Sequence, residues 1–243
     1  MPRALFDNQL AFLRSHRGDV DEVAGATLVT GETPGLPLWI PCEDASDLPD
    51  GCTAVRLMPW SGASWPQRLA AAGFAPAEEL SHMESMTTVP VSMHRAEGIN
   101  VTEVIDERGA DVFASVQSAG FLGGSDPTDS WWQECFRTMA RRNVGRGDQT
   151  FYVAYWGCEA AAVTLVIRAG GVAGIYAVAT RPEYRRRGLS WALVARAVSD
   201  SREAGFDRVT LQASPGSSAE DLYGRMGFVN RFRSVTWRSG TTK

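Results

Sequence analysis

Apolar and polar positions alternate weakly over the first quarter of the chain and strongly after residue 98. Residues 4–14, ALFDNQLAFLR, space their apolar side chains as an amphipathic helix does. TLVTGETPGLPLWIP, 27–41, reads as strand-like pieces broken by glycine and proline. CTAVRLMPW, 52–60, predicts a strand ended by Pro59, and SWPQRLAAAGF, 64–74, a short helix stopped by Gly73. SHMESMTTVPVSM, 81–93, alternates like a strand.

The second stretch predicts a strand over 99–106, a helix over 109–121, a loop over 123–130 and a helix over 131–142 capped by Asp129 or Ser130. QTFYVAYW, AAAVTLVIR and GVAGIYAVAT then form three strands joined by tight glycine-containing turns, the spacing of an antiparallel meander. A helix follows over 189–204, where Leu189, Leu193 and Ala197 share one apolar stripe with Val194 and Val198. The chain closes with a strand RVTLQAS, a short helix within SSAEDLYGRMGF and a last strand FRSVTWR. Glu220 and Asp221 in the first turn of that short helix suit its dipole.

The two ends echo each other. Residues 52–83 run strand, loop, short helix, Gly-Phe, strand, and residues 208–237 run in the same order. Two related halves or a chance likeness of two short αβ units both explain this. The first reading divides the chain into a degenerate domain over 1–93, without a cofactor site, and a second domain over 94–243.

Composition narrows the classes. The 243 residues suffice for one large domain or two small ones, and 44% hydrophobic with 21% charged residues is ordinary for a globular protein. A net charge of −4 argues against a broad nucleic-acid surface. Cys42, Cys52, Cys135 and Cys158 form no CxxC pair and only three histidines accompany them, so we expect no metal and mostly buried, reduced thiols. The apolar run 160–180 is long enough to suggest a membrane span, but Arg168 and Gly170–Gly171 interrupt it, and two buried strands explain it better. The first residues lack the apolar core of a signal peptide, and we expect a cytoplasmic protein.

The candidate chemistry sits in RRRGLS, 185–190, between a strand and a helix. Three arginines oppose the helix dipole unless an anion docks there. A strand entering a helix through glycine exposes backbone N–H groups without intrahelical partners, which makes an anion site. Gly188 lets a phosphate approach the backbone, Ser190 is small and can donate, and Arg185, Arg186 and Arg187 can supply counter-charge. A solvated basic turn is the alternative. The hexapeptide is neither a Walker loop nor a dinucleotide GxGxxG, and no GxSxG, HExxH or Cys-His pair is present.

RRRGLS fits the Q/R-x-x-G-x-G/A signature of the GNAT superfamily, the acyl-CoA-dependent N-acyltransferases, with Ser190 at the final small position. VATRPEY resembles that family's strand-to-turn segment, and AEDLYGRMGF is similar to its late helix, with a tyrosine four residues before Gly-Phe. The resemblance covers about residues 100–238. It implies an α/β fold: a mixed, largely antiparallel central sheet flanked by helices, splayed into a V, and preceded by a smaller degenerate α/β half. It implies acetyl-CoA as cosubstrate, with Val178, Ala179 and Thr180 bonding the pantetheine arm and residues 185–190, Leu189 included, holding the pyrophosphate. Tyr223 would be the general acid for the departing thiolate, unless it is only an amphipathic core residue. Gly216 stands where many relatives carry an asparagine.

The implied reaction is acetyl transfer from acetyl-CoA to a primary amine of a small molecule or peptide. Glu134 is the first candidate base, with Asp126 and Asp129 next; solvated or capping roles are the alternative for each, and water relayed by backbone carbonyls would serve as well. Trp131, Trp132 and Phe121 could wall the acceptor or belong to the core. A non-catalytic acyl-CoA-binding regulator and a basic module for an acidic partner are the rivals. Nucleic acid and membrane are not expected as partners.

Overall fold

The computed structural model describes residues 2–23, 25–33, 36–43, 45, 47–85, 98–122 and 129–240. Helix α1 (Pro2–His16) leads into β1 (Asp19–Val23), β2 (Ala26–Thr30), β3 (Leu38–Pro41), β4 (Ala54–Leu57), α2 (Trp65–Ala71) and β5 (Phe74–Ser85). The chain continues through β6 (Ile99–Val104), α3 (Glu107–Phe121), α4 (Asp129–Asn143), β7 (Gln149–Trp156), β8 (Glu159–Ala169) and β9 (Val172–Thr180). It ends with α5 (Leu189–Glu203), β10 (Val209–Ala213), α6 (Ser218–Arg225) and β11 (Phe228–Ser239).

The strands form one mixed sheet in the order β1-β2-β3-β4-β11-β5-β10-β9-β8-β7-β6. Only β3–β4 and β9–β10 pair in parallel; the other neighbours are antiparallel. The echo in the sequence becomes a topological one: a parallel pair, a short helix, Gly-Phe and a long strand recur as β3–β4–α2–β5 and β9–β10–α6–β11. The last strand of each set inserts into the other, β5 between β10 and β11, and β11 between β4 and β5. Glu84 of β5 fastens this exchange, since Arg208 Nε and Arg231 Nε donate to its two oxygens at 2.5 and 2.7 Å. The expected domain boundary at 93/94, and the part of the expected strand beyond residue 85, lie outside the described residues.

Helix α1 crosses onto the second set of strands and packs on β8 and β9. Asn8, fully buried, donates from Nδ2 to the carbonyls of Ile167 and Val172 at 3.0 and 2.8 Å. Its Oδ1 accepts from the Tyr176 hydroxyl at 2.7 Å. The opposite face of the sheet is covered by α5, whose predicted stripe of Leu189, Leu193, Val194, Ala197 and Val198 is buried throughout.

Strand β1 was not readable from the sequence. DVDEV is almost wholly exposed, and its register with β2 is held by backbone bonds at the sheet edge, where charged residues also discourage further pairing.

Candidate active site

Parallel strands β9 and β10 pair only at Ala173–Val209 and Gly174–Thr210, then diverge toward their C-terminal ends. The gap opens a cleft of about 970 Å³ lined by Val178, Ala179, Thr180, residues 184–191, Gly120, Phe121 and part of α6 including Tyr223. All nine residues of the expected cofactor set, and Tyr223, therefore border one cavity.

The loop before α5 is shaped as a concave donor site. Arg185 is extended, and Arg186 at φ +63° and Gly188 at φ +84° are both left-handed, on either side of Arg187. Alternating signs of φ turn successive N–H groups toward one side, and the first N–H groups of α5 have no carbonyl a turn earlier. The three arginines differ. Arg185 donates to the carbonyls of Gly120 and Thr180 at 3.0 and 3.3 Å, joining the end of α3 to the end of β9. Arg187 donates to Glu183 O at 3.2 Å and lies over the Trp156 ring at 5.1 Å. Arg186 is exposed and has no partner among the described residues, which leaves it the arginine free to meet an anion. Ser190 Oγ lies 3.0 Å from Thr180 Oγ1, so its hydroxyl ties the loop to β9.

Strand β9 carries a bulge at the cleft. Val163 opposes Ala179 and Leu165 opposes Tyr176, so two residues of β9 face Thr164 alone. Ala177 takes φ +52°, and Thr164 Oγ1 donates to Tyr176 O at 3.0 Å. Such a bulge releases main-chain groups from the ladder with β8 and makes them available to the cleft. Close packing keeps this edge in place: a Cβ on Gly120 would lie 2.9 Å from Ala179 Cβ and 3.0 Å from Thr180 N.

Tyr223 is 5% exposed, and burial pushes its phenol up to about 12. It is therefore protonated at neutral pH, and its hydroxyl has no partner among the described residues. Helix α6 is fixed by its first turn, where Ser217 Oγ accepts from Glu220 N at 3.2 Å and Glu220 accepts from Gly216 N and Ser81 Oγ, each at 2.6 Å. Glu220 thus occupies the Gly216 N–H from within the helix.

The candidate bases fall elsewhere. Glu134 lines a separate depression with Ser130 and Arg137, and the structure does not bring it to Tyr223. Its bond from Arg137 holds the carboxyl below its usual range, which weakens it as a base. Asp129 opens α4 and is buried, and Asp126 lies outside the described residues. Of the three aromatic residues, Phe121 lines the main cleft, Trp131 is exposed, and Trp132 lines a second, small cavity beside β9.

Sequence reading missed three features: the bulge at Ala177, the bond between Ser190 and Thr180, and the contribution of α1 to the small cavity. The first two are tertiary consequences of register. The third needed the crossing of α1 onto β8 and β9, for which the amphipathic pattern names no partner. Among the described residues, no cluster of three His, Cys, Asp or Glu could hold a metal, and no helix is long and apolar enough to cross a membrane.

Residues 120–228 match the model of the acetyltransferase (GNAT) family. That match takes in β9, the loop 185–190, α5 and Tyr223, the elements that line the cleft. Solved structures extend the likeness in fold to nearly the whole chain. A GCN5-related N-acetyltransferase from Kribbella flavida superposes with a TM-score of 0.71 at 12% identity over 98% of this chain and 96% of that one. A tandem GNAT protein from the clavulanic acid biosynthesis pathway gives 0.60 at 14% identity, over 90% of this chain and 80% of that one. An acetyltransferase of the GNAT family from Novosphingobium aromaticivorans gives 0.58 at 16% identity, over 98% and 96%. No curated protein matches the sequence.

Proposed function

We propose that the protein is an N-acetyltransferase that moves an acetyl group from acetyl-CoA directly to a primary amine of a small molecule or peptide. The observation that carries this reading is convergence: the donor-rich loop 185–190, the splayed end of β9, its bulge and the buried phenol of Tyr223 line one cleft. A basic docking module would need the arginines alone and gives no role to the other three.

The residues present fit acetyl-CoA. Backbone N–H groups at the start of α5, with Arg186, would hold its diphosphate, and the main-chain edge over Val178–Thr180, which β10 leaves unpaired, would bond the amides of the pantetheine arm. When bound, it supplies an acyl group activated as a thioester. An alkylammonium has a pKa of roughly 10.4, so the acceptor must shed a proton before attack. The described residues bring no carboxylate to Tyr223, and water relayed by the carbonyls of the β9 edge would serve that step. The nitrogen forms its bond to the acyl carbon as the carbon–sulfur bond breaks, and Tyr223 holds the proton that the sulfur takes up. The four cysteines are unpaired, which supports a reducing, cytoplasmic setting, but against expectation none is fully buried: Cys42, Cys52 and Cys135 are half-buried and Cys158 is exposed.

The test is thiol release from acetyl-CoA with a panel of primary amines, run beside Tyr223→Phe. We expect turnover by the native chain and a fall in kcat of about 100-fold in the variant, the low end for loss of a general acid. Acetyl-CoA binding without turnover of any amine would favour the regulator instead.

A further inference from the structure

The small cavity beside β9 has a volume of about 40 Å³ and is walled by Phe12, Phe113, Trp132 and Phe136, with Arg17 and Ala177 also on its lining. Arg17 is held firmly through its backbone. Its N–H donates to Leu13 O at 2.8 Å, and its carbonyl accepts from Thr33 Oγ1 at 2.7 Å. The helix that presents it is anchored as well: Asn143 Nδ2 donates to Ser15 O at 3.0 Å, and His16 Nε2 meets Gln149 Oε1 at 2.9 Å.

The guanidinium has no such partner. It lies over the Trp132 ring at 4.9 Å, and among the described residues it makes no hydrogen bond or ion pair. Burial works against its charge; the groups that act the other way are the Cys135 thiol, on the same cavity wall, and Glu78, whose carboxylate is already paired with Arg56 at 3.4 Å. His16, on the same wall, adds no negative charge, since burial lowers it to about 4 and leaves it neutral near pH 7. A cation with five donors, carried on an anchored backbone, partly buried and without a carboxylate of its own beside an aromatic cavity, is poised for an anion. The cavity and the acyl-transfer cleft meet the sheet at the same bulge of β9. Ala177 lines the one and its chain neighbour Val178 lines the other.

We infer that Arg17 binds the carboxylate of the acceptor, so that the acceptor is an amino acid or similar small amine carrying a carboxylate a few bonds from the nitrogen. Three considerations set this class. A planar carboxylate matches the guanidinium fork. A cavity of about 40 Å³ admits roughly three water-sized groups, enough for a carboxylate and its adjoining carbon. The rest of the acceptor must then leave along the β9 bulge, toward the cleft. The choice of amine as reacting group rests on the acetyltransferase reading; the anion site does not.

The experiment uses the full chain without acetyl-CoA. Glycine, L-alanine and L-phenylalanine are titrated beside their amides, with intrinsic tryptophan fluorescence as readout. Acids should saturate at least tenfold more tightly than amides in the native chain. Arg17→Gln should abolish the difference and Arg17→Lys should restore part of it. Acetyl-CoA affinity, measured separately by calorimetry, should be unchanged in both variants. Equal binding of acid and amide, persistence of the preference in Arg17→Gln, or no binding of any acid would overturn the inference. Failure of acetyl-CoA to bind would strike the acetyltransferase reading and leave the acid preference standing. Arg17→Met gives a second check. A cation kept for a ligand leaves thermal stability unchanged or raised when replaced, whereas a fall in Tm beyond a few degrees would show that its contact with Trp132 is structural.

Discussion

Asn8 is the side chain on which the placement of α1 depends, and its removal should be costly. It is fully buried and donates to the carbonyls of Ile167, Ala169 and Val172 at 3.0, 3.2 and 2.8 Å while accepting from Tyr176 at 2.7 Å. It also fills the space over Gly174, where a Cβ would lie well inside contact distance of its amide. Asn8→Ala removes donors worth about 0.5–1.5 kcal/mol net apiece and strands the buried Tyr176 hydroxyl at about 1–3 kcal/mol. We expect a loss of about 3–5 kcal/mol, which for a chain of this size lowers Tm by roughly 10 °C. The assay is equilibrium denaturation of Asn8→Ala, Tyr176→Phe and the double variant. Tyr176→Phe deletes the group that Asn8→Ala strands, so the double variant should be no less stable than Asn8→Ala, a coupling of about 1–2 kcal/mol. Additive effects, or a cost below about 1 kcal/mol for Asn8→Ala, would refute the reasoning.

Glu84→Gln should destabilise the chain by about 2 kcal/mol in denaturant titration, because two partly exposed arginines lose their shared carboxylate across the exchanged strands. Burial alone would raise the Glu84 carboxyl, but Arg208 and Arg231 outweigh it and hold it below its usual range. Its contribution is thus present above about pH 4.5 and lost as pH falls toward the lowered value, so Glu84→Gln should lose less stability than the native chain on acidification. His82 is pushed down to about 3 by burial and by Arg56, so the unfolded chain binds its proton first. Stability should fall as pH drops from about 6.5 toward 3, and His82→Phe should reduce that slope by up to about 1.4 kcal/mol per pH unit, as followed by denaturation across that range. Tyr223, titrating at about 12, should impose no loss of kcat on the alkaline side below about pH 10, which a pH–rate profile checks.

Much of the fold was legible because its signals are local. The buried runs of β7 to β9 and the stripe of α5 show their periods directly, and RRRGLS carries its left-handed turn in Gly188. Two things resisted reading. The strand exchange between β5 and β11 depends on pairings more than 140 residues apart, and neither strand's pattern names its neighbour. The distance of Glu134, the first candidate base, from the cleft was hidden for a related reason. Glu134 lies at a helical position that sequence brings near the acceptor loop, but the phase of α4 turns it outward to Arg137 and turns Trp132 and Cys135 inward. Arg17 was invisible because one arginine after an amphipathic helix looks solvated until that helix is seen to cross the sheet.

The most direct measurement is calorimetric titration of acetyl-CoA into the native chain and into Gly188→Glu. At Gly188 the backbone sits at φ +84°, a conformation that side chains rarely adopt, and a carboxylate there would face the diphosphate. Micromolar binding to the native chain, weakened at least 100-fold in the variant with the fold retained by circular dichroism, is the expected result. Equal affinity in the two proteins, or no binding to the native chain, would contradict the assignment of this cleft to acetyl-CoA.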